Sequence, residues 1–223
     1  MKLFGYFRSS ASYRVRIALN LKGLDAEHVS VHLIKNGGEQ FSENFRAINS
    51  DALVPALVDI DQGDEIALNQ SLAIIEYLEE KYPQPALLPV SLAERAHVRS
   101  IALSVACEIH PLNNLRVLKY LSSTFGVTDE QKNTWYRHWC VAGLAALEQR
   151  LATDKRTGDF CFGDEPGLAD CFLVPQIFNA QRFDCDLSGM PTLMRINQHC
   201  LSLAAFVKAM PMNQVRSNEI MRP

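Results

Sequence analysis

Two adjacent serines, Ser9 and Ser10, stand in the segment FRSSASYRVRIAL, where a short apolar run gives way to a helical pattern. The first turn of a helix presents unpaired N–H groups and the positive end of the helix dipole, and both favour an anion. A serine hydroxyl there can donate to a thiolate and lower the pKa of the thiol. The alternative is that the serine is an ordinary N-cap. The pair is thus a candidate site for activating a thiol or a plain helix start.

A proline interrupts an apolar run in the segment ALVPAL, residues 52–57. Because proline has no N–H to donate, Pro55 belongs at a sheet edge or bulge. If the Val54–Pro55 bond is cis, the backbone of Val54 turns outward and could pair with a peptide ligand as an added strand does. The alternative is an ordinary edge proline.

A second helix start lies in the segment NQSLAIIEYLEEKYP, where Gln70 and Ser71 precede an amphipathic stretch. It is another position suited to an anion, although taken alone it is also a plain capping signal.

Short strand-like and helix-like stretches alternate up to residue 82, in the order β-α-β-(α)-β-β-α. The predicted strands are Lys2–Phe7, His28–Ile34, Leu53–Ile60 and Ile66–Leu68, and the predicted helices include Tyr13–Lys22 and Ser71–Lys81. This alternation is typical of a small α/β domain, which we assign to residues 1–82.

Three prolines in the segment YPQPALLPVS indicate a stiff linker, which we place at residues 83–90. Apolar residues then recur at helical spacing, so residues 91–223 are predicted to form an all-helical domain. The predicted helices are Leu92–Tyr120, Thr128–Thr153, Gly167–Gln181 with a kink at Pro175, and shorter helices within Thr192–Phe206. The polar tail from Asn213 is expected to fray.

Composition excludes several classes of protein. The 223 residues carry a net charge of −3, which argues against binding nucleic acid through phosphate neutralisation. The longest stretch without charged residues or histidine, Tyr82–Ala93, holds three prolines and is too short to span a membrane. No secretory signal is visible at the N-terminus, so we expect a cytosolic protein. The six cysteines form no CxxC pair and no metal-ligand spacing, and none occurs before Cys107.

The serine motif, the Val-Pro segment, the Gln-Ser pair and the segment HPLNNLRVLKYL (residues 110–121) occur together and in order. In this combination the chain resembles the cytosolic glutathione transferase family over essentially its whole length. Within that family it resembles the zeta class, the maleylacetoacetate isomerases, and the related glutathione-dependent maleylpyruvate isomerases. The resemblance implies an α/β thioredoxin-like N-terminal domain that binds glutathione, an all-α C-terminal domain that helps to hold the acceptor substrate, and a homodimer.

The resemblance also assigns roles to individual residues. Ser9 or Ser10 would face the glutathione sulfur, with Arg8 beside them. The residues implied to bind glutathione are Ser9, Val54, Pro55, Gln70, Ser71, His110 and Asn114. The arginines implied to surround the acidic substrate are Arg8, Arg116 and Arg182. No metal site is expected.

The sequence departs from the family pattern at three positions. Ala11 stands where a cysteine usually follows the two serines, and Asp51 stands in a stretch where a glutamine is common. Gly167 replaces the usual serine or threonine three residues before Asp170, which we interpret as a capping residue. Arg14 and Arg16 are expected on a solvated or salt-bridged helix face.

The resemblance implies a glutathione-dependent cis–trans isomerase of a short cis-dicarboxylic keto acid from aromatic catabolism. Maleylpyruvate and maleylacetoacetate are the two candidate substrates, and the arginines tilt the choice slightly towards the shorter maleylpyruvate. One alternative is a transferase that conjugates glutathione to electrophiles or α-haloacids. Another is a non-enzymatic glutathione-binding module, against which the intact Ser9, Pro55, Gln70 and Ser71 argue.

Overall fold

A computed structural model describes residues 1–214 of the protein. Of the tail expected to fray, residues 215–223 lie outside the described residues. By its internal contacts the chain divides into two units. The first consists of Met1–Leu87 together with the stretch that begins at Leu203, and the second is Leu88–Ser202. The predicted division placed the last stretch with the helical domain.

The first unit is a mixed sheet with helices, in the predicted order. Its strands are β1 (Lys2–Gly5), β2 (Glu27–Ser30), β3 (Ala56–Asp61) and β4 (Asp64–Asn69), and its helices are α1 (Ser10–Leu21), α2 (Glu43–Ile48), α3 (Ser71–Lys81) and α9 (Ala204–Ala209). The sheet order is β2-β1-β3-β4, with β2 parallel to β1 and both β1–β3 and β3–β4 antiparallel. This confirms the predicted thioredoxin-like α/β architecture.

Strand register brings three chain segments to one end of this sheet. Phe4 near the end of β1 pairs with Ala56 at the start of β3. Ala56 in turn pairs with Asn69 at the end of β4. The residues that follow β1, precede β3 and follow β4 therefore emerge side by side.

Three predicted strands are shorter than expected, and the first of them, β1, already ends at Gly5. β2 ends at Ser30, and beyond it the His32 side chain organises a turn: its Nδ1 accepts from the N–H groups of Ile34 (3.2 Å) and Lys35 (2.9 Å). A backbone that donates to a side chain cannot donate to a neighbouring strand at the same time, so the ladder stops. β3 begins only after Pro55, as the missing N–H of proline requires.

Helix α1 is almost wholly buried. Gly5 at the end of β1 allows its close approach, because a Cβ there would lie 3.0 Å from Ser12 Oγ. Arg14 and Arg16 are only 2% and 4% exposed, so the expectation of a solvated face is wrong. Arg16 donates to the backbone oxygens of Ala209 (3.0 Å) and Phe7 (3.1 Å). The buried guanidinium of Arg16 is thus held by backbone oxygens from two separate parts of the chain.

The first unit extends into the proline-rich segment as far as Leu87, and one buried lysine holds this stretch. Lys22 Nζ donates to the backbone oxygens of Tyr82 (2.7 Å) and Pro85 (2.9 Å), and it lies 2.6 Å from a carboxylate oxygen of Glu79. Glu79 also accepts from the N–H of Leu87. Residues 82–87 therefore pack with the α/β unit, whereas the predicted linker began at residue 83.

The second unit is all-helical, as predicted. Its helices are α4 (Leu92–Leu103), α5 (Leu115–Phe125), α6 (Asp129–Thr153), α7 (Leu168–Arg182) and α8 (Pro191–Ser202). Thr128 starts α6 with a capping box that it forms with Gln131. At the start of α7, Asp170 accepts from the N–H groups of Gly167 and Cys161, both at 2.9 Å, which confirms its capping role.

One predicted helix of the second unit is broken in two. The expected helix Leu92–Tyr120 passes through a π-helical turn at Ser104–Ile109 and a 3₁₀ turn at Pro111–Asn113. Pro111 cannot donate into a continuing helix, and Asn114 starts α5 as its N-cap. Within residues 1–214, no helix is long and apolar enough to cross a membrane.

Candidate active site

The N-terminus of α1 presents the two serines differently. Ser9 is the half-buried N-cap, and its Oγ accepts from the N–H of Ser12 at 3.2 Å. Ser10 is the first helical residue and is only 5% exposed. Because a hydroxyl that accepts still carries its own hydrogen, Ser9 can cap the helix and donate to an anion at once. Ser9 is therefore the N-cap of α1 and can also act as the donor to a thiolate.

Arg8 directly precedes the cap and is half-buried. The central guanidinium carbon of Arg8 lies 5.3 Å from the centroid of the Phe7 ring, within the range of a cation–π contact. An arginine stays charged at neutral pH and can hold a carboxylate through two parallel hydrogen bonds. Arg8 is thus a cationic residue adjacent in sequence to the candidate thiolate donor.

The segment before β3 is fixed by a buried asparagine. The Val54–Pro55 bond is cis, as the sequence allowed. Asn49, which is 3% exposed, donates from Nδ2 to the backbone oxygen of Leu53 at 2.8 Å. Its Oδ1 accepts from Asn69 Nδ2 at 3.0 Å. Asn49 therefore joins the residues just before Val54 to the end of β4.

Gln70 and Ser71 form the start of α3. Gln70 occupies the N-cap position with a φ of 65°, and its side chain makes no capping hydrogen bond. The Oγ of Ser71 accepts from Nη1 of the buried Arg14 at 3.2 Å. The first turn of α3 contains no acidic residue, so its N–H groups and dipole remain available to an anion.

These three segments converge within the first unit. Ser9 follows β1, Val54 and Pro55 precede β3, and Gln70 and Ser71 follow β4, at the end of the sheet where the paired strands bring them together. Two of the segments are helix starts that favour anions, and the third carries backbone groups next to them. This set of donors fits a small anionic thiol peptide such as glutathione.

In the second unit, the predicted glutathione ligands His110 and Asn114 lie together. The Nδ2 of Asn114 is 3.5 Å from Nε2 of His110. The Oδ1 of Asn114 accepts from the N–H of Arg116 at 3.1 Å and so caps α5. This places Arg116, whose side chain is exposed, one residue inside the helix start.

Arg182, the third predicted substrate ligand, is the last residue of α7 and is exposed. Its central guanidinium carbon lies 4.8 Å from the centroid of the Phe183 ring. Like Arg8, it therefore extends over the aromatic side chain next to it in the sequence. In both residues the guanidinium lies within cation–π distance of the adjacent phenylalanine ring.

The thiols of the protein are unsuited to the chemistry. Five of the six cysteines are buried, and Cys107 is the exposed one. Burial raises the pKa of Cys140 to about 12 and also raises that of Cys161 and Cys200. These thiols stay protonated at neutral pH, and residues 1–106 contain no cysteine. A reactive sulfur at the serine motif must therefore arrive on a ligand. Within residues 1–214 no group of three or more His, Cys, Asp or Glu side chains could hold a metal ion.

Sequence reasoning missed two residues of this arrangement, Arg14 and Asn49. Arg14 was placed on a solvated face because a charged helix residue usually lies there, and its partner Ser71 is distant in sequence. The signal available was spacing, since Arg14 lies four residues after Ser10 and therefore on the same helix face. Asn49 gave no local signal beyond its place after a short helix.

Comparisons with known proteins agree with this architecture. Residues 3–86 match the family model of the glutathione S-transferase N-terminal domain, and residues 140–188 match that of the C-terminal domain. A maleylacetoacetate isomerase of Pseudomonas aeruginosa is 48% identical over 96% of this chain and 97% of its own length. A maleylpyruvate isomerase of a Ralstonia species is 47% identical over 96% of this chain and 98% of its own.

Two solved structures extend the comparison to three dimensions. The holo structure of a maleylpyruvate isomerase of the zeta class has a TM-score of 0.92 at 47% identity, covering 97% of this chain and 100% of its own. A maleylacetoacetate isomerase of Methylobacterium extorquens, with malonate and glutathione bound, has a TM-score of 0.91 at 41% identity, covering 96% and 98%. This chain belongs to the zeta class of the glutathione transferase family.

Proposed function

We propose that this protein is a glutathione-dependent cis–trans isomerase of a short cis-dicarboxylic keto acid in aromatic catabolism. The observation that carries the proposal is the convergence of the serine motif, the Val54–Pro55 segment and the Gln70–Ser71 helix start at one end of the sheet. A relative of the same fold binds glutathione and the dicarboxylate malonate, which supports both ligand classes.

The substrate is maleylpyruvate or maleylacetoacetate. A relative named for maleylpyruvate is 47% identical to this chain, and two named for maleylacetoacetate, one of them as probable, are 48% and 51% identical, so similarity separates the two acids only slightly. We favour maleylpyruvate because a shorter diacid needs its carboxylates held more closely, and three arginines are available for that task. The choice is decided by the relative rates of the two acids.

Ser9 is the proposed thiolate donor. Its half-buried hydroxyl accepts from the N–H of Ser12 and keeps a hydrogen to donate outward, whereas Ser10 is buried. A hydrogen bond to the charged form lowers the pKa of the bound thiol, so more of it is ionised at neutral pH. The positive end of the α1 dipole acts in the same direction.

Six further residues are proposed to contact glutathione. Val54 and Pro55 present backbone to the cysteinyl residue of the tripeptide, in the manner of an added strand. Gln70 and Ser71 hold the γ-glutamyl carboxylate at the start of α3. His110 and Asn114 contribute from the second unit.

Arg8, Arg116 and Arg182 are proposed to hold the carboxylates of the substrate. Glutathione supplies a nucleophilic thiol, whose reversible addition to the conjugated cis double bond permits rotation before elimination. Negative charge develops next to the carbonyl during that addition, and a guanidinium placed there before the reaction stabilises it without reorganisation. Arg8 is the first choice for this role because it adjoins Ser9.

A homodimer and a cytosolic location complete the proposal. The homodimer follows the family resemblance. Exposed apolar side chains such as Val90 and Leu92 offer surface that a second copy could cover. Sedimentation of the purified protein tests the dimer.

The direct test is turnover of each cis acid with and without glutathione. We expect glutathione-dependent conversion to the trans acid. Equal rates without glutathione, or no conversion of either acid, would contradict the proposal. Faster turnover of a chlorodinitrobenzene-type electrophile than of either acid would instead indicate a conjugating transferase.

A further inference from the structure

A buried arginine lies behind the start of α3. Arg14 projects from α1, is only 2% exposed, and donates from Nη1 to Ser71 Oγ at 3.2 Å. Ser71 is the first residue of α3 and is itself buried. The contact joins the two helices whose N-terminal ends form the candidate active site.

Arg14 fixes the direction in which Ser71 can donate. A guanidinium has only donors, so the Ser71 oxygen must act as the acceptor in this contact. The hydroxyl hydrogen of Ser71 then points away from Arg14. Within residues 1–214 the Ser71 side chain makes no other hydrogen bond, so this hydrogen is left for a group outside the described chain.

The surroundings suit an anion as the acceptor. Gln70 adopts a φ of 65° and does not cap the helix with its side chain, which leaves the first-turn N–H groups of α3 open. At 11 residues, α3 is long enough to carry a substantial dipole at this end. The Ser71 hydroxyl and the helix start therefore favour the same kind of ligand group.

We propose that Arg14 is a positioning residue for glutathione binding: it holds the Ser71 oxygen so that the hydroxyl is donated to the γ-glutamyl carboxylate. The inference rests on the proposed function, since it names glutathione as the ligand. Arg14 does not touch the ligand in this account but acts through Ser71. Without Arg14 the hydroxyl can rotate and accept elsewhere, so part of the hydrogen bond to the carboxylate is lost.

A double-mutant cycle tests the coupling. We expect Arg14→Met and Ser71→Ala each to raise the calorimetric Kd of glutathione about tenfold, as loss of a hydrogen bond to a charged group does. Because Arg14 acts through Ser71, the double variant should match Ser71→Ala within about twofold. Arg14→Lys, which keeps a donor at this position, should recover most of the affinity.

Arg16 provides a matched control. It lies on the same helix, is 4% exposed, and donates to backbone oxygens of Ala209 and Phe7 instead of Ser71. Arg16→Met should lower the melting temperature. In the double variant with Ser71→Ala, the factors by which the two single changes alter the glutathione Kd should multiply, because the two residues act independently. Coupling confined to Arg14 therefore separates positioning from general loss of packing.

The outcomes distinguish this inference from the proposed function. If the wild-type protein does not bind glutathione, the proposed function fails. If the wild type binds glutathione but Arg14→Met leaves the Kd unchanged, the inference alone is overturned. The same holds if the double variant raises the Kd about 100-fold, the product of the two single effects. If Arg14→Met does not fold, Arg14→Gln takes its place in the cycle under the same criterion.

Discussion

The side chain of Asn69 donates from Nδ2 to Oδ1 of Asn49 at 3.0 Å, and this bond couples two segments of the candidate active site. Asn69 directly precedes Gln70 and Ser71. Asn49 also donates to the backbone oxygen of Leu53, next to Val54. One buried amide therefore sets the spacing between the segment that presents backbone to the tripeptide and the helix start that favours its carboxylate.

Replacing Asn49 with alanine should loosen both segments at once. We expect Asn49→Ala to lower the free energy of unfolding by about 1–3 kcal/mol, because Asn69 and Leu53 lose a buried partner. The Kd of glutathione should rise as well, since two binding segments lose their common support. Chemical denaturation and calorimetry measure the two effects.

Asn20 is the control for that change. Its Nδ2 donates to the backbone oxygen of Ala205 at 2.8 Å, away from all three segments. Asn20→Ala should lower stability by a similar amount and leave the glutathione Kd unaltered. An equal rise in Kd for both variants would show that Asn49 acts only through stability.

Ser9 should show separate capping and chemical roles. Ser9→Ala should lose about 1 kcal/mol of stability with the cap, and it should reduce kcat/KM by about 10²-fold by removing the thiolate donor. Ser9→Asp should restore the cap, because aspartate caps as well as serine. A carboxylate next to the sulfur should nevertheless raise the pKa of the bound thiol.

The thiol pKa is read from the pH dependence of thiolate absorbance in the complex. Ser10→Ala is the comparison, and because Ser10 is buried it should shift that pKa less than Ser9→Ala does. A larger shift for Ser10→Ala would transfer the role of donor to Ser10.

Arg8 should act on the dicarboxylate and not on the tripeptide. We expect Arg8→Ala to raise KM for the cis acid about tenfold or more, while KM for glutathione changes little. Arg46 offers a control, since its guanidinium also lies over a phenylalanine, 5.7 Å from the Phe41 ring centroid. Arg46→Ala should change neither constant. Equal changes in both constants for Arg8→Ala would mean that Arg8 serves glutathione or the fold.

We expect Asp170 to stabilise the fold through the hydrogen bonds that its two carboxylate oxygens accept. Burial raises the pKa of Asp170, and the N–H groups of Cys161 and Gly167, one on each oxygen, oppose that rise. An asparagine has one acceptor oxygen and would turn an NH₂ group towards the other N–H. Asp170→Asn should therefore cost about 1–3 kcal/mol in chemical denaturation.

The control for this change is Asp186, which is exposed and accepts from the N–H of Ser188 through a single oxygen. Asp186→Asn should change stability by less than about 0.5 kcal/mol. A similarly small loss for Asp170→Asn would show that the start of α7 does not depend on the pair of bonds.

Local pattern predicted the element order well. The predicted helix starts at Thr128 and Gly167 coincide with the N-caps of α6 and α7 in the structure. Such starts can be predicted because a capping signal lies within four residues. The expected helix over residues 92–120 missed its break, although Pro111 and Asn114 lie at the junction. Apolar spacing continued across that junction and outweighed the helix-breaking signal.

The sequence predicted only those residues of the candidate site that belong to local motifs. Ser9, Pro55 and Gln70 follow from motifs, and strand pairing of β1, β3 and β4 explains why they meet. Arg14 was missed because burial of a charge depends on a partner 57 residues away, and no local pattern records that distance. The same holds for Arg16 and its partner Ala209.

The central claim is that glutathione acts catalytically and is regenerated. Proton NMR of one reaction mixture follows free glutathione, the cis acid and the trans acid together. We expect the trans acid to replace the cis acid over many turnovers while the concentration of free glutathione stays constant. Loss of one glutathione for each cis acid consumed, without trans product, would contradict the account and indicate a conjugating transferase.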